Sequence, residues 1–531
     1  MNRPTLSLLA TVTALAAVTG LASLGSGAEG TRAGESERVP VQQTTLTCPR
    51  PTSAETATTA YTAFTPVGTG DRQDGLEAAA ALLPAPEYVL GDSGRDTDED
   101  EDADDDADED ADADADEDEE ADAADADAVV PLEEPGVPVA ATTKEAGAPA
   151  LIGTARGRLA PGWTVQQTTV TDSGAGRGML GTACQTPGTE FWFAGASTLE
   201  SRYDYVHLTN PDEAATVVDI ALYGADGQLA SDSGGEGVTV PGGTTVPVPV
   251  GAAGTLDADP EPNLAVHVMA RTGRIGAQLE VVDEQLGADW LAPVTAPAGP
   301  VVLPGIPEDA ETVRLIAFTP GEEDISLGVQ LVGAGGTFTP AGSESLSLRP
   351  GAVSAMDLGD ITQGEAGSLL LTPAEGSGTG PVVAALRVTR GEDEEQDLAF
   401  IAATAPVESR ATAGGNTLKG TSLSLTAPDD TVEVKVTISA GSDGGAESSE
   451  TYTVEGGTTL AVAPEPGDDV EGRYALTVER VSGGTLYASR MLSLKRDDIP
   501  MFTVQGLPDD GSTVAVPETG QDFSVLTNRP H

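Results

Sequence analysis

The residues best equipped for chemistry in this chain are few, and each sits in a context that argues against its use. Asp232-Ser233-Gly234-Gly235, and more weakly Gly91-Asp92-Ser93-Gly94, carry the Asp-Ser-Gly order that suits a nucleophilic serine. Such a serine needs a histidine base. Only His207, His267 and His531 exist; the first two fall in strand-like runs and the third is the last residue, while Ser233 lies in a Gly-rich stretch that reads as a hairpin loop. No Gly-x-Ser-x-Gly elbow occurs. Gly25-Ser26-Gly27-Ala28-Glu29-Gly30 fits a dinucleotide fingerprint formally but follows an apolar leader and has no βαβ unit around it. Three scattered histidines and two cysteines lack the spacing of a metal site. The sequence therefore gives no catalytic residue, no cofactor and no metal ligand. An enzyme would have to be built on carboxylates, for example a glycan-acting one using a pair such as Asp204 with Asp219, and among 86 acidic residues nothing singles out a pair.

Cys48 and Cys184 are the only cysteines. In an exported chain an even count of two allows one intramolecular bridge, which would tie together the two halves of an N-terminal module; two unrelated buried thiols are the alternative. Export is the reading of the N-terminus: Arg3, then a run from Leu6 to Leu24 without charge, then small residues at Ser26-Gly27-Ala28. The run is long enough to span a bilayer, so cleavage as a signal peptide and retention as a membrane anchor both stay open. Val516-Pro517-Glu518-Thr519-Gly520 resembles a sortase signal with Val in place of Leu, but no apolar stop follows it.

Formal charge is −60. Phosphate binding needs a basic face, so nucleic acid is excluded as a partner, and anionic membrane surfaces are disfavoured for the same reason. From Asp96 to Asp127, 22 of 32 residues are acidic and the rest are almost all Ala, a composition that cannot make a core; the run reads as a disordered, self-repelling insert. The remainder of the chain is still acidic.

The elements that would position any site are strands. Val238-Thr239-Val240-Pro241-Gly242-Gly243-Thr244-Thr245-Val246 recurs as Tyr452-Thr453-Val454-Glu455-Gly456-Gly457-Thr458-Thr459-Leu460, and Leu346-Ser347-Leu348-Arg349-Pro350-Gly351 lies midway. Gly243, Gly351 and Gly457 are 108 and 106 residues apart, so three copies of one domain-sized unit are expected. Around each turn, period-two alternation such as Val217 to Tyr223, Ile325 to Val332 and Val432 to Ile438 specifies half-buried antiparallel strands. The expected fold is all-β: tandem immunoglobulin-like β-sandwich repeats, preceded by an N-terminal β module interrupted by the acidic insert. In that module Val41-Gln42-Gln43-Thr44-Thr45-Leu46-Thr47 and Val165-Gln166-Gln167-Thr168-Thr169-Val170-Thr171 echo each other as strands. The expected divisions are 1–38 (signal or anchor with linker), 39–190 (N-terminal module, insert 92–128), 191–292, 301–404 and 416–496 (repeats), and 497–531 (tail). Each repeat is expected to be separately compact, with linkers near 291–301 and 404–417. Phe191-Trp192-Phe193, with Tyr203 and Tyr205, is expected to pack the joint between N-terminal module and first repeat; a carbohydrate-stacking platform is the alternative.

Cys48-Pro49, Cys184-Gln185-Thr186-Pro187, Glu190-Phe191-Trp192-Phe193-Ala194-Gly195, Leu208-Thr209-Asn210-Pro211 and Tyr223-Gly224-Ala225-Asp226-Gly227 together resemble an uncharacterised family of actinobacterial secreted or membrane-anchored proteins, a domain of unknown function. The resemblance implies location and fold and brings no activity, cofactor or catalytic residue. Two classes of function follow: a non-enzymatic envelope protein, a structural or binding rod of sandwiches that contacts an envelope protein or glycan through loops, and the carboxylate-based glycan-acting enzyme. Ligand and oligomeric state are not encoded in any motif. Because loop length enters closure entropy only logarithmically, deleting 96–127 is expected to change stability by no more than about 1 kcal/mol in calorimetry; loss of folding would make the run a structural element.

Overall fold

A computed structural model describes residues 37–516, apart from short breaks at 53, 55, 69–76, 231–233, 255–258, 295–298 and 394 and a longer one at 89–127. The apolar leader, the Gly25–Gly30 motif, the acidic run, Ser93, Ser233 and the residues from Pro517 onward fall outside these. Almost everything described is antiparallel sheet, and no described helix is long and apolar enough to cross a membrane. The chain divides into two units. One holds a two-stranded sheet of β1 (Glu37–Pro40) and the last strand, Thr513–Val516, in which the Arg38 guanidinium donates to Thr513 Oγ1 at 3.0 Å. The other, Pro40–Ser512, carries everything that follows.

This larger unit is four sandwiches. The first module comprises β2 (Gln43–Cys48), β3 (Ala57–Phe64), β4 (Ala79–Ala85), β5 (Val129–Leu132), β6 (Val139–Thr143), β7 (Ala150–Arg156), β8 (Thr164–Thr171) and β9 (Gly178–Ala183). Its sheets run β2-β7-β4-β5 and β6-β3-β8-β9. The second comprises β10 (Glu190–Ala196), β11 (Tyr205–Thr209), β12 (Thr216–Gly224), β13 (Gly227–Gln228), β14 (Val238–Val240), β15 (Thr245–Pro249), β16 (Leu264–Ala270), β17 (Gly276–Asp283) and β18 (Gly287–Leu291). The third comprises β19 (Val301–Ile306), β20 (Ala310–Phe318), β21 (Ile325–Gly333), β22 (Gly336–Phe338), β23 (Ser345–Leu348), β24 (Ser354–Gly359), β25 (Gly367–Pro373), β26 (Val383–Arg390) and β27 (Asp397–Ala402). The fourth comprises β28 (Arg410–Asn416), β29 (Thr421–Ala427), β30 (Val432–Ile438), β31 (Ser448–Val454), β32 (Thr458–Val462), β33 (Tyr474–Gly483), β34 (Tyr487–Arg496) and β35 (Ile499–Gly506).

The strand order is the same in all four: first-sixth-third-fourth in one sheet, fifth-second-seventh-eighth in the other, with the fourth position split in two in the second and third modules. The N-terminal module is thus a fourth copy of the unit, with the acidic run inserted between its third and fourth strands. The turn that exposed the repeat is the link by which the chain passes from one sheet to the other. Gly243, Gly351 and Gly457 all sit there with φ of 69°, 69° and 75°, a left-handed conformation that costs a glycine little and other residues more. Alternation places one face of each strand inside: β12 reads buried at every second position, from Thr216 through Val218, Ile220 and Leu222.

The modules do not string out as a rod. Each eighth strand packs on its neighbours in the cycle β9, β18, β27, β35 and back to β9, and each first strand packs on the seventh strand of the next module: β2 on β17, β10 on β26, β19 on β34, β28 on β8. The fourth module therefore closes on the first. One apolar core runs through the second and third modules and takes in Phe502 and Val504 of the fourth, while the first and fourth modules otherwise keep cores of their own. Trp192 stacks at 5.3 Å from Phe318 and Tyr223 lies 4.9 Å from it, so Trp192 packs the joint with the third module, whereas Phe191 faces the first module and Tyr203 is exposed. Two strands also fall outside the expected division 416–496. The segment Ala411-Thr412-Ala413-Gly414-Gly415 has no β-branched alternation and reads as linker, yet Arg410–Asn416 is buried at every position; Ile499–Gly506, within the expected tail 497–531, is a strand paired along its length with β34.

Polar contacts at the axis fix how the eighth strands meet. Asp289 of β18 is fully buried; its Oδ1 accepts from Gly181 N at 3.1 Å (first module) and Thr503 Oγ1 at 3.0 Å (fourth), and its Oδ2 from Phe400 N at 3.3 Å (third). One carboxylate so joins all four modules. Asp397 Oδ2 accepts from Phe502 N at 2.8 Å, and Arg177 donates to the carbonyls of Gln285 and Gln396, both at 3.0 Å. Gly181 is required for this approach: a Cβ there would sit 2.5 Å from Thr503 Cγ2.

Burial pushes the carboxyls of Asp289 and Asp397 well above the usual range, with hydrogen bonds to Asp289 and to Asp397 opposing it and the charge of Asp289 adding to it at Asp397. A carboxyl whose folded pKa lies above its unfolded one contributes stability that is complete below the ordinary value near 3.8 and is lost as pH rises through the raised folded value. The part of the thermal stability contributed by Asp289 is expected to fall as pH is raised above the ordinary carboxyl value near 3.8, and Asp289→Asn to flatten that fall, measured by calorimetry across pH. An unchanged slope in the variant would contradict it.

Candidate functional site

The eighth strands present their C-terminal ends to a cavity of about 370 Å³. All four modules line it: Trp163, Gln166 and Gly181 to Thr186 from the first, Phe191 and Trp290 from the second, Ala402 to Ala405 from the third, Thr412 and Val504 to Asp510 from the fourth. Its volume falls within the range of small-molecule sites, and its wall mixes aromatic and aliphatic surface with a few polar groups. Among the described residues, the lining side chains that hold a buried polar atom without a partner are Trp163 (Nε1), Trp290 (Nε1), Gln505 (Nε2) and Gln185 (Oε1). Native structures hold few such atoms, because each costs roughly 1–3 kcal/mol. Asp509 and Asp510 also line the cavity but are taken up: Asp510 Oδ2 accepts from Arg410 Nε at 2.6 Å, and Asp509 Oδ2 from Ser409 N at 2.8 Å.

Beneath the cavity lies Arg490 of β34, fully buried. It donates to the carbonyl of Gly414, to Asn416 Oδ1 at 3.2 Å, to Gln166 Oε1 at 3.3 Å and to Gln505 Oε1. No carboxylate pairs with it among the described residues; desolvation pulls its guanidinium down to about 9. The other buried arginines are neutralised. Arg202 forks onto Asp204 at 3.0 and 2.7 Å, and Arg410 pairs with Asp510.

The residues that sequence reasoning weighed fall as follows. Cys48 and Cys184 form a disulfide with Cα atoms 4.4 Å apart, and Cys184 lies in the cavity wall. His207 in β11 is buried and bonds Glu280 at 3.0 Å; His267 in β16 bonds Glu190 at 3.0 Å and stacks on Trp192 at 3.8 Å. Trp192 thus has His267 stacked on its ring and Phe318 5.3 Å away, and with Phe191 it lines a shallow surface pocket between Glu190 and Pro293. Asp204 and Asp219 do not form a pair: Asp204 is sealed with Arg202, burial raising its carboxyl to about 6 against the pull of that arginine, while Asp219 is held down by Arg271 at 2.6 Å. What sequence reasoning missed is the cavity and Arg490, which depend on contacts between strands hundreds of residues apart.

The disulfide bridges a separation of 136 residues, so its constraint on the unfolded chain is large. Replacing both cysteines by Ala is expected to cost about 2–5 kcal/mol in denaturant unfolding. A cost near zero would mean that β2 is held by packing alone.

No curated protein matches the chain. A model described as a family of unknown function (DUF5719) matches residues 139–465, which takes in the whole of the second and third modules and parts of the first and fourth. The match covers more than half of the sequence, and the chain belongs to this family of unknown function, DUF5719.

Proposed function

We propose that the protein is exported and serves at the cell envelope as a non-enzymatic binding protein, taking a ligand in the axial cavity and contacting an envelope protein or glycan through its loops. The observation that carries this reading is the cavity itself, lined by four modules and holding unpartnered polar atoms on its lining side chains. Export is supported by the uncharged run Leu6 to Leu24 and by the Cys48–Cys184 disulfide, since such bonds persist in oxidising compartments. The leader, if uncleaved, would hold the protein to the membrane as a single anchor. A binding role fits the side chains that an enzyme would need: His207, His267, Asp204 and Asp219 are each engaged with a partner. The acidic surface leaves nucleic acid out of the partners.

Fractionation of expressing cells, with thiol alkylation before lysis, should find the protein in the envelope or the medium with both cysteines blocked, and purified protein should bind wall material saturably without turnover. Cytoplasmic protein with two alkylatable thiols would overturn the location; release of glycan fragments would overturn the non-enzymatic reading.

A further inference from the structure

Arg490 is a buried cation without a buried anion, in a chain that carries 86 acidic residues against 26 basic ones. Removing a charge from water without a counter-charge is costly, and the other two buried arginines, Arg202 and Arg410, avoid it by pairing. The guanidinium can only donate hydrogen bonds, so the side-chain amides it touches must turn their oxygens toward it. Gln166 and Gln505 do so. Their NH2 ends therefore point away from the charge. Gln505 Nε2 lies beside Gly181 on the cavity wall, where an ideal Cβ would be 3.0 Å from it, and it has no partner; Gln166 Nε2 reaches only Thr164 Oγ1 at 3.5 Å. Two lining tryptophans add unpartnered indole N–H groups, so the unmatched groups are three donors, on Trp163, Trp290 and Gln505, against one acceptor on Gln185. The wall's own carboxylates are engaged, Asp510 with Arg410 and Asp509 with the amides of Ser409 and Arg410, so the positive field from below and the excess of donors call for an anion. The same wall offers Leu46, Phe191, Val504 and Leu507, apolar surface that an inorganic ion would leave unused.

We propose that the axial cavity binds a small organic carboxylate, whose charge is compensated by Arg490 through the amides of Gln166 and Gln505 and whose apolar part lies against the aromatic and aliphatic wall. The inference rests on the axial cavity being the protein's binding site. Arg490 acts through the amides and is a positioning residue. One charge compensates a monoanion, and a cavity of about 370 Å³ suits a single small organic molecule.

Trp163 and Trp290 line the cavity, so intrinsic fluorescence of the purified full chain reports its occupancy. N-acetylalanine, N-acetylalanine amide, inorganic phosphate, ethanolamine and N-acetylglucosamine are the probes. N-acetylalanine should change the fluorescence saturably and the other four should not. Gln505→Glu gives Arg490 the carboxylate it lacks: the variant should unfold no earlier than the parent, and its affinity for N-acetylalanine should fall by about tenfold or more. Should that variant not fold, Trp290→Phe removes one donor without altering charge, and weakened binding is again expected. The amide or phosphate binding as tightly as the acid, or unaltered affinity in the variant that folds, overturns the carboxylate assignment. Binding of ethanolamine or N-acetylglucosamine in place of the acid overturns it and leaves the cavity as the binding site. No response to any probe tells against both.

Discussion

The buried carboxylate of Asp289 is the contact on which the arrangement of the four modules depends. Its two oxygens accept from the first, third and fourth modules while its backbone belongs to the second. Apolar surface would hold the modules together in many registers; a buried acceptor with three donors holds them in one, because any slip leaves the donors bare in a dry interior. The requirement extends outward. Eighth strands can come this close only where Gly181 and Gly287 lack a Cβ, since one on Gly287 would lie 2.7 Å from Asp397 Oδ1. Once the strands converge, their C-terminal ends leave the cavity, and the first and seventh strands of successive modules are brought face to face.

Closure of the cycle puts unusual weight on the joint between the first and fourth modules, which are furthest apart in sequence. There an apolar cluster of Met179 with Leu492 and Met501 is joined by polar contacts: Arg490 bonds Gln166, and Thr412 Oγ1 donates to Gly162 O at 3.5 Å, beside the Arg410–Asp510 pair of the fourth module. The joint of the second and third modules is by contrast an aromatic core around Phe318. The candidate site sits where polar joint and apolar core meet, which gives it both a charge beneath its floor and an organic wall.

Much of the fold is legible in the sequence because it is set locally. The turn glycines announce the sheet-to-sheet link, and period-two alternation sets the faces of strands such as β12. The fourth copy was legible too: Pro135-Gly136 precedes Val137-Pro138-Val139 as Pro241-Gly242-Gly243 precedes Val246-Pro247-Val248, Gly136 has φ of 89°, and it lies 107 residues before Gly243. The acidic run and the divergent strands around it hid that match. The closed cycle left no comparable mark. Asp289 and Arg490 look like ordinary charges in Asp289-Trp290 and Arg490-Met491, and only contacts across hundreds of residues make one a shared acceptor and the other an unneutralised cation. The buried strand Arg410–Asn416 was missed because its small residues are chosen for close approach to Thr62, not for strand propensity. The disulfide, by contrast, followed from a count of two cysteines and the expectation of export.

Native-state hydrogen exchange at the amides of Gly181, Phe400 and Phe502 tests most directly whether the four modules are one closed unit. These N–H groups belong to three different modules and end on the two axial carboxylates. If the cycle opens only as a whole, all three exchange with the same free energy, that of global unfolding, and respond together to denaturant. Three separate opening energies, each well below the global value, would show four sandwiches that merely touch.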